Sequence, residues 1–191
     1  MNPPAVAALF AVGVVASVVG FVLVTTYNAI VALRQRSDKA WSNIDVVLKQ
    51  RHDQLPNLVS AVRGLMAYEQ GVLTRVTDAR AAYSPTAPIP EQAATSEATT
   101  AAVRSLFAVV ERYPELKSAE NVRDLQTQIE RLEDMIADRR ELYNDQIYRY
   151  NTRIGQLPGA LIAPLFGWQP REFFTADEAD TVRPDADLRT T

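Results

Sequence analysis

No charged side chain occurs between Met1 and Leu33, and all 20 Lys and Arg and all 23 Asp and Glu come after it. Inside that stretch, Ala5–Val24 is apolar but for Ser17. About 20 helical residues cross the roughly 30 Å hydrocarbon core of a bilayer at 1.5 Å rise each. A lone span must be helical, because only a helix satisfies its own backbone polar groups in lipid. A cleaved signal peptide would carry basic residues ahead of its apolar core and a small-x-small site behind it. Met1-Asn2-Pro3-Pro4 has no Lys or Arg, and Thr25-Thr26-Tyr27 is a poor cleavage sequence. Residues 1–27 therefore read as a retained transmembrane anchor.

Arg34, Arg36 and Lys39 crowd the C-terminal flank of the span, and the N-terminal flank has no basic residue. The positive-inside rule then places the N-terminus outside the cell membrane, extracellular or periplasmic, and the large C-terminal part in the cytoplasm. The same three cations can lie against anionic headgroups, which makes membrane lipid an expected partner. Cysteine is absent, which excludes disulfides and thiol chemistry and agrees with a cytoplasmic domain. The net charge of −3 misleads about the body, since Glu172, Asp177, Glu178, Asp180, Asp185 and Asp187 concentrate acid in the tail. No basic stripe of the kind that binds nucleic acid stands out.

Beyond the anchor the pattern is helical, without the alternation of a strand. Leu55-Pro56, Ser84–Pro90 and Tyr113-Pro114 interrupt it, because the residue before proline avoids the α region. Four runs result, each with an apolar seam at three-then-four spacing. The first holds Ile30, Leu33, Ile44 and Val47; the second runs from Leu55 through Val59, Val62, Met66 and Leu73 to Val76; the third holds Val103, Leu106 and Val110. The fourth runs from Val122 through Ile129, Ile136 and Ile147 to Ile154 and Leu157. A hairpin near Arg51–Asn57 would let four helices of matched length pack side by side. The expected fold is therefore all-α, an N-terminal transmembrane helix followed by an up-and-down antiparallel four-helix bundle over residues 28–158. Residues 159–175, apolar and aromatic, would pack on the bundle or on the membrane surface, and 176–191 would form a disordered acidic tail.

Two sets of residues stand out within this frame. Glu69, Arg80 and Arg139 occupy seam positions where apolar side chains belong. A buried charge persists only when paired, so Glu69 is expected to meet Arg139, with Arg51 as its alternative partner. Tyr143 and Tyr150 lie seven residues apart on one helix face, as do Asn144 and Asn151. They read as Tyr at the core edge with Asn fixing register, or as a contact strip for a partner. Chemistry is harder to find. His52 is the sole histidine, flanked by Arg51, and no Glu-x-x-His pair of a di-metal bundle occurs. No nucleophile motif or phosphate-cradling loop is evident. The expectation is a non-enzyme with no cofactor, no metal and no evident small-molecule substrate.

Ala40-Trp-Ser-Asn-Ile-Asp-Val-Val-Leu-Lys-Gln-Arg-His-Asp-Gln-Leu-Pro-Asn-Leu-Val59 resembles the signature block of the LemA family of bacterial membrane proteins. Tyr27-Asn28, Ala79-Arg80, Tyr113-Pro-Glu-Leu-Lys117, Leu125-Gln126, Arg139-Arg140, Tyr143-Asn144, Tyr150-Asn151 and Pro158 extend the likeness to about Phe174. Ser118-Ala119, Val122 and Asp134 depart from the family pattern, which usually has Ala-Asn, an aromatic and Asn there. The resemblance implies a single-pass anchor with a short external N-terminus and a cytoplasmic helical bundle, and carries no settled molecular function. The expected role is a membrane-tethered interaction or scaffold module with membrane or cytoplasmic protein partners. A structural membrane-organising protein acting by homo-oligomerisation or lipid binding is the alternative, and an enzyme with an unrecognised site a third.

Overall fold

The computed structural model describes residues 3–63 and 69–175. Met66 of the second seam and the expected acidic tail lie outside them. The described residues are all-helical: α1 (Pro3–Arg63), α2 (Gln70–Ala81), α3 (Ile89–Val110), the short α4 (Pro114–Ser118), α5 (Glu120–Gly155), the short α6 (Gly159–Ile162) and a 3-10 turn over Ala163–Phe166. They divide into two compact units, one of residues 3–44 with 138–172, the other of residues 45–63, 69–137 and 173–175.

The hairpin expected near Arg51–Asn57 does not form. α1 is one helix of 61 residues with Pro56 inside it. Proline lacks the N–H that would bond the carbonyl four residues back, and its ring crowds that carbonyl. Here the carbonyl belongs to His52, and Arg80 Nε donates to it at 3.3 Å. An arginine from α2 thus supplies the donor that Pro56 removes, and the helix continues. A rod this long still finds cover. α5 accompanies it in both units, Tyr150 and Ile154 packing with Ile30 in the first and Glu133 meeting Arg51 in the second.

In the second unit α2 runs antiparallel to α1, Arg80 reaching His52 and Tyr83 reaching Asp45. α3 runs antiparallel to α2, since Glu69 at the start of α2 meets Arg112 and Tyr113 at the end of α3. The loop between them is held by Gln92 Nε2, which donates to the Ala87 carbonyl at 2.8 Å. Prolines at the starts of α3 and α4 occupy first-turn positions, where a missing N–H costs nothing. The core here is aliphatic: Leu55, Leu58, Val62, Val76, Leu106 and Ile129 are among its buried members.

The seams are buried almost throughout, from Ile44 to Ile154. Leu33 is half-buried, and Leu157 is 73% exposed. α5 ends at Gly155, and the helical period that put Leu157 in the seam stops with it.

Candidate functional site

Arg51 sits on α1 and is 3% exposed. One guanidinium nitrogen donates to Glu133 Oε1 at 2.8 Å and to Thr100 Oγ1 at 3.0 Å. The other donates to Ser96 Oγ at 2.9 Å and to the Ser96 carbonyl at 3.3 Å. Thr100 in turn donates to Glu133 Oε2 at 2.6 Å. The cluster joins α1, α3 and α5, and both carboxylate oxygens are engaged. Such a network is a register lock, since every donor it commits is matched across a helix boundary.

The expected pairing of Glu69 with Arg139, or with Arg51, is not what forms. Glu69 accepts from Arg112 at 3.4 Å and from Tyr113 at 3.5 Å, at a partly exposed edge. Arg139 is half-buried and lines an open pocket of about 260 Å³ with Arg36, Lys39, Asn43 and Gln146. Helical phase marked Glu69, Arg80 and Arg139 as charges in need of partners and brought in Arg51 only as an alternative for Glu69; phase alone does not say which neighbour supplies the charge. Glu133, one residue off the seam, and Ser96 and Thr100 were missed. Their signal was present: the α3 seam of Val110, Leu106 and Val103 continues backward at the same spacing through Thr99 or Thr100, Ser96 and Ala93.

The Tyr and Asn strip on α5 grips the chain's own C-terminal segment. Asn151 Nδ2 donates to the Arg171 carbonyl at 2.9 Å, and the Arg171 N–H donates to Asn151 Oδ1 at 2.8 Å. The Tyr143 hydroxyl donates to the Glu172 carbonyl at 3.0 Å. The Arg171 guanidinium lies 5.4 Å from the Tyr150 ring centroid and bonds Asp38 at 2.6 Å. Trp41 packs on Tyr143 at 5.5 Å. Asn144 is half-buried and also engaged. Burial pushes the Tyr143 phenol up to about 12, so it remains a donor across ordinary pH.

His52 packs against Tyr83, ring centroids 5.0 Å apart. Burial, and then the Arg80 charge, lower its pKa from 6.5, so the imidazole is neutral near pH 7. Among the described residues no three His, Asp or Glu side chains converge as a metal site requires. Of the membrane-flanking cations, Arg34, Arg36 and Lys39 are all exposed.

These features define a class: a membrane-associated all-helical protein with an exposed apolar N-terminal helix segment and polar side chains spent on internal ties. The chain belongs to the LemA family, whose model matches residues 40–187. It is similar to magnetosome proteins MamQ 1 and MamQ 2 of Paramagnetospirillum magneticum strain AMB-1, each 27% identical over 188 residues covering 84% of this chain and 69% of the relative. Magnetosome protein MamQ of Magnetospirillum gryphiswaldense strain MSR-1 is 26% identical over the same shares.

Proposed function

We propose that this protein is a non-catalytic interaction or scaffold module held at the cytoplasmic face of the cell membrane. The observation that carries the reading is α1, one uninterrupted helix from the apolar span into the core around Leu55–Val62. Val24 and Leu55 both lie within this helix. The buried polar groups of the Arg51 cluster are spent on one another, which suits a framework better than a reactive centre. On this reading the second unit is the up-and-down four-helix bundle, made by the end of α1, α2, α3 and the first part of α5, with α4 as a connecting turn. The relatives carry the name of the magnetosome; at 27% identity this chain is assigned no place there.

The test is photo-crosslinking in cells from Leu142 and Tyr148, both exposed on α5. Discrete adducts with other proteins support the module. Adducts with a second copy of the chain alone would favour self-assembly, the second reading. Topology is checked by single cysteines, since the chain has none of its own. Val46→Cys should react with an impermeant maleimide only after the cytoplasmic side is opened.

A further inference from the structure

The segment after α5 leaves four large apolar side chains uncovered: Leu157, Leu161, Leu165 and Phe166 are 73%, 66%, 80% and 54% exposed. No charged residue lies between Arg153 and Arg171. The segment is nonetheless firmly placed. Phe166 and Trp168 pack on Tyr27 of α1, ring centroids 4.8 Å and 5.3 Å away. Ile162 and Ala163 are buried. A Cβ on Gly159 would strike the Arg153 carbonyl and meet Ile30 Cδ1 at 3.5 Å, so only glycine permits this approach. Gly167 turns the chain with φ 64°, and Asn151 and Tyr143 then draw Arg171 and Glu172 back along α5.

Tyr27, which anchors this turn, is three residues beyond Val24, about 4.5 Å along a helix. A bilayer that surrounds the span therefore begins at the level of the turn. Isolated exposed leucines are ordinary, but four apolar side chains within ten residues form a patch that marks an interaction surface. Aromatic rings such as Tyr27 and Trp168 are favoured at the headgroup level. The buried side of the turn already seals the helix pair, so the exposed side is free for another occupant.

We propose that Leu157, Leu161, Leu165 and Phe166 form an interfacial foot that inserts into the lipid leaflet beside the span. The partner is the bilayer surface itself, continuous with the lipid around α1. The inference rests on residues 5–24 being the span, and the experiment separates the two.

Single-cysteine variants Val15→Cys, Leu161→Cys, Leu165→Cys and Val46→Cys of the full chain are spin-labelled in phosphatidylcholine–phosphatidylglycerol liposomes. Collisions with lipid-soluble oxygen are compared with collisions with a water-soluble nickel chelate. The expected result is lipid-type accessibility at Val15, Leu161 and Leu165 and aqueous accessibility at Val46. If Val15 is lipid-exposed while Leu161 and Leu165 match Val46, the foot is overturned and the span stands. If Val15 is aqueous, the span reading fails and takes the foot with it. Dipolar broadening at Leu161 and Leu165 in dilute liposomes would mean that a second copy covers the patch, which also overturns the proposal.

Discussion

Over residues 45–63, α1 is covered by aliphatic side chains from α2, α3 and α5, with the Arg51 cluster set among them. Between Thr26 and Ile44 its described neighbours are α5 and the returning C-terminal segment. The contacts there combine a small buried cluster of Ile30, Tyr150, Ile154 and Ala163 with aromatic pairs and side-chain bonds to backbone: Tyr27 with Phe166 and Trp168, Trp41 with Tyr143, Asn151 with Arg171. A four-segment bundle can bury whole leucines, each contributing roughly 1.5–3 kcal/mol. A helix pair has a smaller interior, filled here by Ile30, Ile44 and Ile147, and it recruits a third stretch of chain tied by its peptide groups. The same two long helices thus share a large aliphatic core in one unit and a smaller one, supplemented by bonds to the backbone of a returning segment, in the other.

The strongest way to break this contrast is Arg51→Met. It strands Glu133 among Ser96 and Thr100, and should cost about 3 kcal/mol in chemical denaturation of the full chain in micelles, the low end for a broken buried pair because Glu133 keeps 22% of its side-chain surface in water. Arg51→Met with Glu133→Leu should recover most of the loss. Asn151→Ala removes two bonds to the backbone of one residue, Arg171, together worth roughly 1–3 kcal/mol. Its effect should be local: amide-exchange protection disappears over residues 168–174 while Leu55–Val62 keep theirs. Equal loss in both places would mean that the clamp is not a separate device. Arg80→Met should cost about 1 kcal/mol, the value of one hydrogen bond, and much less once Pro56→Ala has restored the N–H that bonds His52.

The smallest effect concerns pH. The folded state resists protonating His52, whose pKa is lowered from 6.5 by burial and by Arg80. Its contribution is complete above pH 6.5 and is lost as pH falls through the lowered value, because the unfolded chain takes up the proton first. His52→Gln should flatten the acid side of the stability curve. An unchanged slope would assign that loss to the carboxylates instead.

How much of this was legible varied by kind of information. The seams were, because burial imposes a period on sequence directly, and so was the apolar N-terminal helix, because an unbroken apolar run is read without any period. The hairpin was misplaced because a proline reports a missing donor and not what replaces it; Arg80, some two dozen residues on, carries that answer. Ser96 and Thr100 hid because short hydroxyl side chains on a helix read as solvent-facing until a buried arginine is known to need them. Tyr143 and Asn151 were visible as members of two matched pairs, with Tyr150 and Asn144, but their partner, the backbone of Arg171 and Glu172, has no side-chain signature at all.

The bond from Arg80 to the carbonyl that Pro56 leaves unserved has a consequence for how related sequences can diverge. Each residue bears on the other: a proline without its distant donor leaves the His52 carbonyl bare, and the arginine without the proline loses its claim on that acceptor. The two positions should therefore drift together. Lineages that lose the proline become free to lose the arginine, and a correlated pair across such a gap in sequence would be the fossil of a helix that was mended rather than broken.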